Sequence, residues 1–225
     1  MIKLVNKLIS RKIRFEINGY GKYLSNERIN DLFSKKKIRF TPPNDFNDPL
    51  EFKPTLKGTN IHDEYLFRNM PYPSKADIIT HEIITYLSNN YGVLSLTKVP
   101  DSFYMWCMYA NGHKGFFVVF KDNFNRQPNL LDGKLHYPIK KVNYTNNYCL
   151  NMEVNYIDQD YANNFAESNY EKIFFTKIKR WIYEKEHRMV RPLKNINHIL
   201  ERTLFEFDLN YISDIIKDFK EYLEN

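Results

Sequence analysis

The chain has 225 residues, enough for one domain with a sizeable core, and its 33 Lys and Arg exceed 27 Asp and Glu to give a net charge of +6. This excess is modest and dispersed, so no basic arm indicates nucleic-acid binding. Charged residues interrupt the segment from Met1 to Phe15, and no apolar stretch of membrane length follows. We therefore expect a cytoplasmic protein that contacts no membrane, with Cys107 and Cys149 as reduced, buried thiols.

The first part of the chain predicts two helices, a strand and a loop. Apolar residues at helical spacing predict an amphipathic helix within residues 1–15 that docks on the rest. After a break at residues 18–21, a second helix begins with its cap near Ser25. A short strand at Lys37–Phe40 follows, and Asn44–Glu51 is a loop rich in turn-forming residues.

The remaining elements do not alternate as single strands and helices, which favours an α+β fold. Residues 61–90 contain two helical patterns divided by prolines. Further strands and helices are predicted, in chain order, at Tyr91–Leu96 (strand), Asp101–Ala110 (capped helix), Gly115–Phe120 (buried strand), Ile139–Tyr144 (strand), Tyr156–Ile178 (mostly helix), Glu184 onward (strand), Thr203–Phe207 (strand) and Tyr211–Leu223 (helix). We predict one domain over residues 1–225, with residues 1–15 and 203–225 as appendages. Its central sheet is mostly antiparallel, continuous or split, and flanked by helices.

Two carboxylates near the end of the chain are the strongest candidates for chemistry. Because side chains alternate along a strand, Glu184, Glu186 and Arg188 would share one face. Like charges this close imply a cationic partner, a shared proton or a metal. A surface ion network with Lys177, Arg180 or Arg188 would explain the pair without any site. The functional alternative uses one carboxylate for catalysis and the other to position a nucleophile.

Two further places in the sequence carry groups suited to an anionic ligand. Arg39 at a strand end offers a planar fork for phosphate, and Asn47 lies in the turn-rich loop after it. Asn-Asp-Pro is also a common turn former, so the loop's polar groups alternatively bond only the backbone. Ser95 places a hydroxyl near the end of its predicted strand, a weak signal when taken alone.

Aromatic residues before the buried strand form the last candidate group. Trp106 and Tyr109 are three apart on a short helix, which places them on one side of it and is more typical of a core than of a binding site. His113 follows an Asn-Gly turn, where a histidine would reach both solvent and a ligand.

The order of these motifs resembles a bacterial family called domain of unknown function 2971. The resemblance extends from about Gly21 to Arg191, and the family name carries no activity. It rests on Tyr23, Arg39-Phe40, Phe46–Glu51, Ser95, Met105-Trp106, Tyr109-Ala110, His113–Gly115, Lys177, Trp181, Tyr183-Glu184, Glu186 and Arg188.

A looser resemblance links the chain to ADP-ribosyltransferases, which use NAD and carry an arginine, a serine strand and a Glu-x-Glu strand in this order. The resemblance implies that Arg39 binds the phosphates, Ser95 steadies the site, Glu186 is the catalytic acid and Glu184 activates the acceptor. A carboxylate would then stabilise the positive charge that develops on the ribose. The chain departs from that pattern in its Ser-Leu-Thr motif and in Arg188 on the glutamate face.

The resemblance implies an NAD-consuming transferase or hydrolase that acts on a macromolecular target, as a bacterial toxin or antiphage effector. NAD would be its substrate, with no metal. Trp106 and Tyr109 would form a shelf for nicotinamide, His113 would bond the ribose, and Asn47 and Lys177 would add ligand contacts.

Two alternatives stay open. A metal-dependent nuclease would use carboxylates as Mg²⁺ ligands and Lys177 as the charge stabiliser. Its ligands would be Asp48, Glu51, Glu184 and Glu186. A non-catalytic module would hold a nucleotide or a protein partner in an aromatic and basic groove without converting it.

Overall fold

A six-stranded antiparallel sheet forms the centre of the molecule. The computed structural model describes residues 17–57, 75–130, 133–134, 136–152, 159–194 and 199–217. The strands are β1 (Tyr20–Leu24), β2 (Lys37–Arg39), β3 (Thr55–Lys57), β4 (Tyr91–Thr97), β5 (Phe116–Phe120), β6 (Ile139–Lys141), β7 (Asn143–Thr145), β8 (Cys149–Asn151), β9 (Thr176–Ile178), β10 (Glu186–Pro192), β11 (Leu204–Glu206) and β12 (Ile212–Lys217). The helices are α1 (Asn26–Phe33), α2 (Lys75–Asn90), α3 (Phe103–Tyr109), α4 (Gln159–Ser168), α5 (Tyr170–Phe175) and α6 (Ile199–Thr203).

The strand order of the main sheet is β12-β5-β1-β4-β10-β6. Three two-stranded ladders flank it: β2 with β11 antiparallel, and β3 with β8 and β7 with β9 parallel. This mixture of helices with a mainly antiparallel sheet confirms the predicted α+β class. A membrane-spanning helix is not found in the described part of the chain, where every helix is too short or too polar.

The sheet has a gap between two of its central strands. All five residues of β1 pair with β5, whereas β1 and β4 share the single pair Gly21 and Thr97. The two strands therefore separate on one side of that pair. Gly21 lets the backbone of β1 approach the Phe117 ring closely, because a Cβ at this position would lie 1.9 Å from a ring atom. The gap opens the middle of the sheet to a cleft.

Apolar residues on both faces of the sheet bury the core. On one face, Val93 and Val190 pack with the apolar sides of α2, α4 and α5. On the other face, Leu94 and Met189 pack with α1, β2 and β11. The opposite placement of neighbouring residues follows from the two-residue period of a strand. A third, smaller cluster surrounds the fully buried Trp106.

Several predicted elements are confirmed by the structure. The Ser25 hydroxyl accepts a hydrogen bond from the Arg28 N–H at 3.4 Å and caps α1 as expected. The predicted strands at Lys37–Phe40, Tyr91–Leu96, Gly115–Phe120 and Thr203–Phe207 and the helix at Asp101–Ala110 appear within a few residues of the expected bounds. The second helical pattern of residues 61–90 is α2.

Other predictions need correction. The sequence predicts a break at residues 18–21 before α1, but Tyr20 and Gly21 begin the central strand β1, which continues to Leu24. The predicted strand over 139–144 is two strands, β6 and β7, in different sheets. The helix predicted over 211–223 is wrong for its first part, because Ile212–Lys217 pairs with β5 as the edge strand β12.

Some of the remaining predictions fall on residues that the structure does not describe, and the others concern the two cysteine thiols. The helix predicted in residues 1–15, the first helical pattern after residue 61 and residues 218–223 lie outside the described residues. The cysteines form no disulfide, as expected. Contrary to the expectation of burial, Cys107 is exposed and Cys149 is half-buried.

Candidate functional site

A cleft of about 730 Å³ lies where β1 and β4 separate. Its lining comes from β1, α1, β2, the loop after β2, β4, α3, β5, β9, the 3-10 helix Lys179–Glu184 and the start of β10. A volume of this size is typical of pockets that hold nucleotide-sized ligands. Segments distant in sequence therefore contribute to one concave surface.

A buried ion network forms the floor of the cleft. The Lys177 ammonium lies 3.0 Å from Glu51 Oε2, 2.7 Å from Glu184 Oε2 and 3.0 Å from Glu186 Oε2. Arg188 donates from Nε to Glu186 Oε1 at 2.7 Å, and from Nη2 to Glu186 Oε2 at 2.8 Å and Glu51 Oε1 at 2.6 Å. Three carboxylates thus meet two cations, and one negative charge is left uncompensated when all five groups are ionised.

A tight turn brings the two predicted glutamates onto this floor. Glu184 ends the 3-10 helix, Lys185 adopts a left-handed conformation with φ of 44°, and β10 begins at Glu186. The prediction of a strand that starts at Glu184 is therefore wrong by two residues. Both carboxylates nevertheless reach Lys177, because that residue lies on β9, the strand that directly precedes the 3-10 helix.

Hydroxyl groups complete the surroundings of the glutamates. Tyr109 donates its hydroxyl proton to Glu184 Oε1 at 2.6 Å, and the Thr97 hydroxyl donates to the Glu184 carbonyl at 2.8 Å. The Glu186 N–H donates to the Tyr144 hydroxyl at 2.8 Å. Tyr109 and the two cations hold the carboxylates, while Thr97 and Tyr144 hold the backbone of the glutamates, so the floor is a connected buried network.

The two glutamates differ in acidity. Burial tends to raise the pKa of Glu186, but Arg188 and Lys177 hold it well below its usual range. Burial raises the pKa of Glu184, and the ammonium of Lys177 and the hydroxyl of Tyr109 offset only part of that effect. Such a separation of two neighbouring acids suits them to different roles, one ionised throughout and one able to exchange a proton.

Cations dominate the wall of the cleft on the side of β1, α1 and β2. Lys22, Arg28, Lys37 and Arg39 line it together with two carboxylates, Asp31 and Asp45. Arg39 Nη2 lies 2.6 Å from Asp45 Oδ2, and its buried Nε has no hydrogen-bond acceptor within the described ranges. The wall therefore carries a net positive charge.

An aromatic side chain closes the cleft beside the floor. The Trp181 ring lies 5.4 Å from the Lys177 ammonium, and its indole N–H donates to Asp48 Oδ2 at 2.7 Å. Arg180 also pairs with Asp48 at 3.0 Å. Asp48 thus joins the loop that follows β2 to the 3-10 helix and positions Trp181 along the cleft.

Seven of the nine predicted site residues line this cleft: Arg39, Asn47, Ser95, Tyr109, Lys177, Glu184 and Glu186. The structure does not bring Trp106 and His113 to it. Trp106 is fully buried in the third core cluster and donates its indole N–H to the Pro100 carbonyl at 2.7 Å. His113 packs against Phe103, with ring centroids 4.5 Å apart.

The carboxylates of the proposed nuclease do not form a metal site. The ammonium of Lys177 occupies the point where the oxygens of Glu51, Glu184 and Glu186 converge, and Asp48 pairs with Arg180 and Trp181 instead. In the part of the chain that the structure describes, no group of three His, Cys, Asp or Glu residues has metal-ligand geometry. The geometry gives the nuclease hypothesis no support.

Sequence reasoning assigned no site role to Lys22, Arg28 or Trp181. The segment Tyr20–Leu24 lacks a regular alternation of apolar and polar residues, so no local pattern identifies Lys22. Trp181 belongs to the residues that carry the family resemblance, and its place in sequence between Lys177 and the glutamates is the signal that could have assigned it to the site. Glu51 was considered only as a metal ligand, and its contact with Arg188 spans 137 residues.

Residues 105–189 match a family described as "Protein of unknown function (DUF2971)". The matched segment is shorter than the resemblance seen in the sequence, and it contains the predicted residues Tyr109, Lys177, Glu184 and Glu186 but neither Arg39 nor Ser95. No curated protein and no solved structure matches the chain.

Proposed function

We propose that the protein consumes NAD, cleaving the bond between nicotinamide and ribose and transferring ADP-ribose to a macromolecular acceptor or to water. The observation that carries this proposal is the separation of charge within one cleft. A net positive wall formed by Lys22, Arg28, Lys37 and Arg39 faces a floor on which Glu51, Glu184 and Glu186 outnumber Lys177 and Arg188.

This charge pattern complements NAD. The wall has four cations against two carboxylates, and the pyrophosphate of NAD carries two negative charges. The floor retains one negative charge, and the nicotinamide-ribose end of NAD carries one positive charge. Matching potentials steer and orient a ligand, which favours one direction of binding. The Trp181 ring lies beside the floor, where it offers an aromatic face to nicotinamide.

The chemistry needs two acids with different protonation behaviour. As the C1–N bond breaks, its electron pair leaves with nicotinamide and positive charge develops on the ribose. Glu186, whose pKa is held low by Arg188 and Lys177, stays ionised and stabilises that charge. The acceptor or water then forms the new C1–O bond and gives its proton to Glu184, whose pKa is raised by burial.

The test is release of nicotinamide from NAD by the purified full chain. The wild-type protein is expected to release nicotinamide, and Glu186→Gln to reduce the rate by about 10²–10³-fold, which is typical of losing one electrostatic stabiliser of the transition state. Glu206→Gln is the matched control, since Glu206 is exposed on β11 outside the cleft. Its rate should equal that of the wild type.

Glu184→Gln separates catalysis from folding. It removes the proton acceptor, so it should slow turnover while leaving the equilibrium affinity for ADP-ribose close to that of the wild type. Thermal unfolding of each variant checks that the network still folds. Absence of nicotinamide release by the wild type across a panel of protein and RNA acceptors, or equal rates in wild type and Glu186→Gln, would overturn the proposal.

A further inference from the structure

Among the described residues, Lys22 and Lys37 are the two cations of the wall that form no ion pair with a carboxylate, and Lys22 is the one that lies at the gap in the sheet. It projects from β1 at the gap, half-buried, and its Nζ donates to the Ser95 carbonyl at 3.0 Å. An ammonium carries three N–H donors. Within the described residues, the Ser95 carbonyl is the single acceptor recorded for Lys22 Nζ. By contrast, Arg39 pairs with Asp45 at 2.6 Å, and Arg28 with Asp31 at 3.6 Å.

Charged groups on three other elements act on Lys22. Burial, together with the cations Arg28 on α1 and Arg39 on β2, lowers the pKa of Lys22 to about 8, although Glu186 on β10 acts in the opposite direction. The lowering means that the protein alone does not stabilise the charged amine. An anion bound between Lys22 and the two arginines would supply the missing stabilisation.

We propose that Lys22 binds the pyrophosphate of the dinucleotide and is the residue that makes substrate binding depend on pH. This inference rests on the proposed function, because it assigns the pyrophosphate to the wall of that cleft. The Lys22 ammonium donates to the Ser95 carbonyl, and Lys22, Arg28, Arg39 and Glu186 line the same cleft, so its position fits the junction between the phosphates and the ribose that is cleaved.

The direction of the pH dependence follows from linkage. The free protein holds the pKa of Lys22 at about 8, and a bound pyrophosphate raises it. Binding is therefore strongest below pH 8 and weakens as the pH rises from there toward the pKa of the complex. The pyrophosphate of ADP-ribose has no proton to lose in this range, so the ligand does not contribute to the change.

The experiment is titration calorimetry of the full chain with ADP-ribose between about pH 7 and pH 9. Wild-type affinity should fall roughly tenfold over this range, since one unit between pH and pKa corresponds to a factor of about ten. Lys22→Arg should bind with an affinity that hardly changes with pH, because arginine stays protonated. Lys22→Met should bind about 10–100-fold more weakly than wild type at pH 7, as expected for a lost charged hydrogen bond.

Lys121→Met is the matched control, because Lys121 is an exposed lysine at the end of β5 and does not line the cleft. It should reproduce the wild-type affinity at every pH. A Lys22→Arg variant with the full wild-type pH dependence, or a Lys22→Met variant with wild-type affinity, overturns the inference. If ADP-ribose binds as described but no nicotinamide is released from NAD, then the proposed function fails while the role of Lys22 in pyrophosphate binding stands.

Discussion

Replacement of Lys177 by methionine tests whether the floor of the cleft is held together by its charges. The ammonium contacts three carboxylates at 2.7–3.0 Å, and its side chain is only 7% exposed. Lys177→Met keeps most of the apolar part of the side chain, but it leaves Arg188 as the remaining cation for Glu51 and Glu186 and leaves Glu184 with the Tyr109 hydroxyl. Removing one partner from a buried ion pair costs about 3–5 kcal/mol. We expect a loss of that size in the free energy of unfolding at pH 7.

The loss should also depend on pH. Without the ammonium, Glu184 loses the cation that lowers its pKa, while burial and Glu186 still raise that pKa above its value in the unfolded chain. A raised carboxyl pKa favours the folded state at low pH and destabilises it as the pH rises. The difference between Lys177→Met and wild type should therefore be larger at pH 8 than at pH 5.

Urea denaturation followed by far-UV circular dichroism measures both effects. Lys179→Met, an exposed neighbour on the same segment, is the control and should stay within about 0.5 kcal/mol of wild type. Equal losses for the two variants would refute the network as a source of stability. A Lys177→Met loss that is the same at pH 5 and pH 8 would refute the electrostatic reasoning.

Three other variants test the surroundings of the cleft. Gly21→Ala places a methyl group against the Phe117 ring, so urea denaturation should show a loss of about 1–3 kcal/mol, and wild-type stability would contradict the close approach. Trp106→Phe removes a buried indole and its hydrogen bond, so it should lower the free energy of unfolding by about 1–3 kcal/mol without changing ADP-ribose affinity. Weaker ADP-ribose binding would place the ring in the site after all. Tyr109→Phe removes a hydrogen bond that lowers the pKa of Glu184, so the acid limb of the pH profile for nicotinamide release should move to higher pH. An acid limb at the wild-type position would contradict the role of Glu184.

Local signals explain which elements were predictable. Ser25 and the stripe of apolar residues after it define α1 without any help from the rest of the chain. The run Phe116–Phe120 is apolar on both faces and can only be a buried strand. The segment Ile212–Lys217 has no such signal, because its apolar spacing suits a helix or a strand. Its pairing with β5 decides the outcome, and that partner lies about a hundred residues away.

The same distinction applies to the site. Lys177, Glu184 and Glu186 lie within ten residues, so their convergence could be anticipated even though the strand was predicted to start too early. The approach of Glu51 depends on tertiary packing that no local pattern encodes. Trp106 was predicted in the site but lies outside it. Its spacing places it on the same side of α3 as Tyr109, but spacing alone does not tell which of the two rings reaches the cleft.

The contact between Glu51 and Arg188 has a consequence for biosynthesis. During translation the chain emerges from its amino-terminal end, so the loop carrying Glu51 leaves the ribosome long before the residues that complete the floor. The cleft cannot assemble on a nascent chain until the segment through residue 188 has been made, because both cations of the floor arrive with it. The geometry of the floor is therefore set late relative to the Glu51 loop, by the segment that carries Lys177 and Arg188.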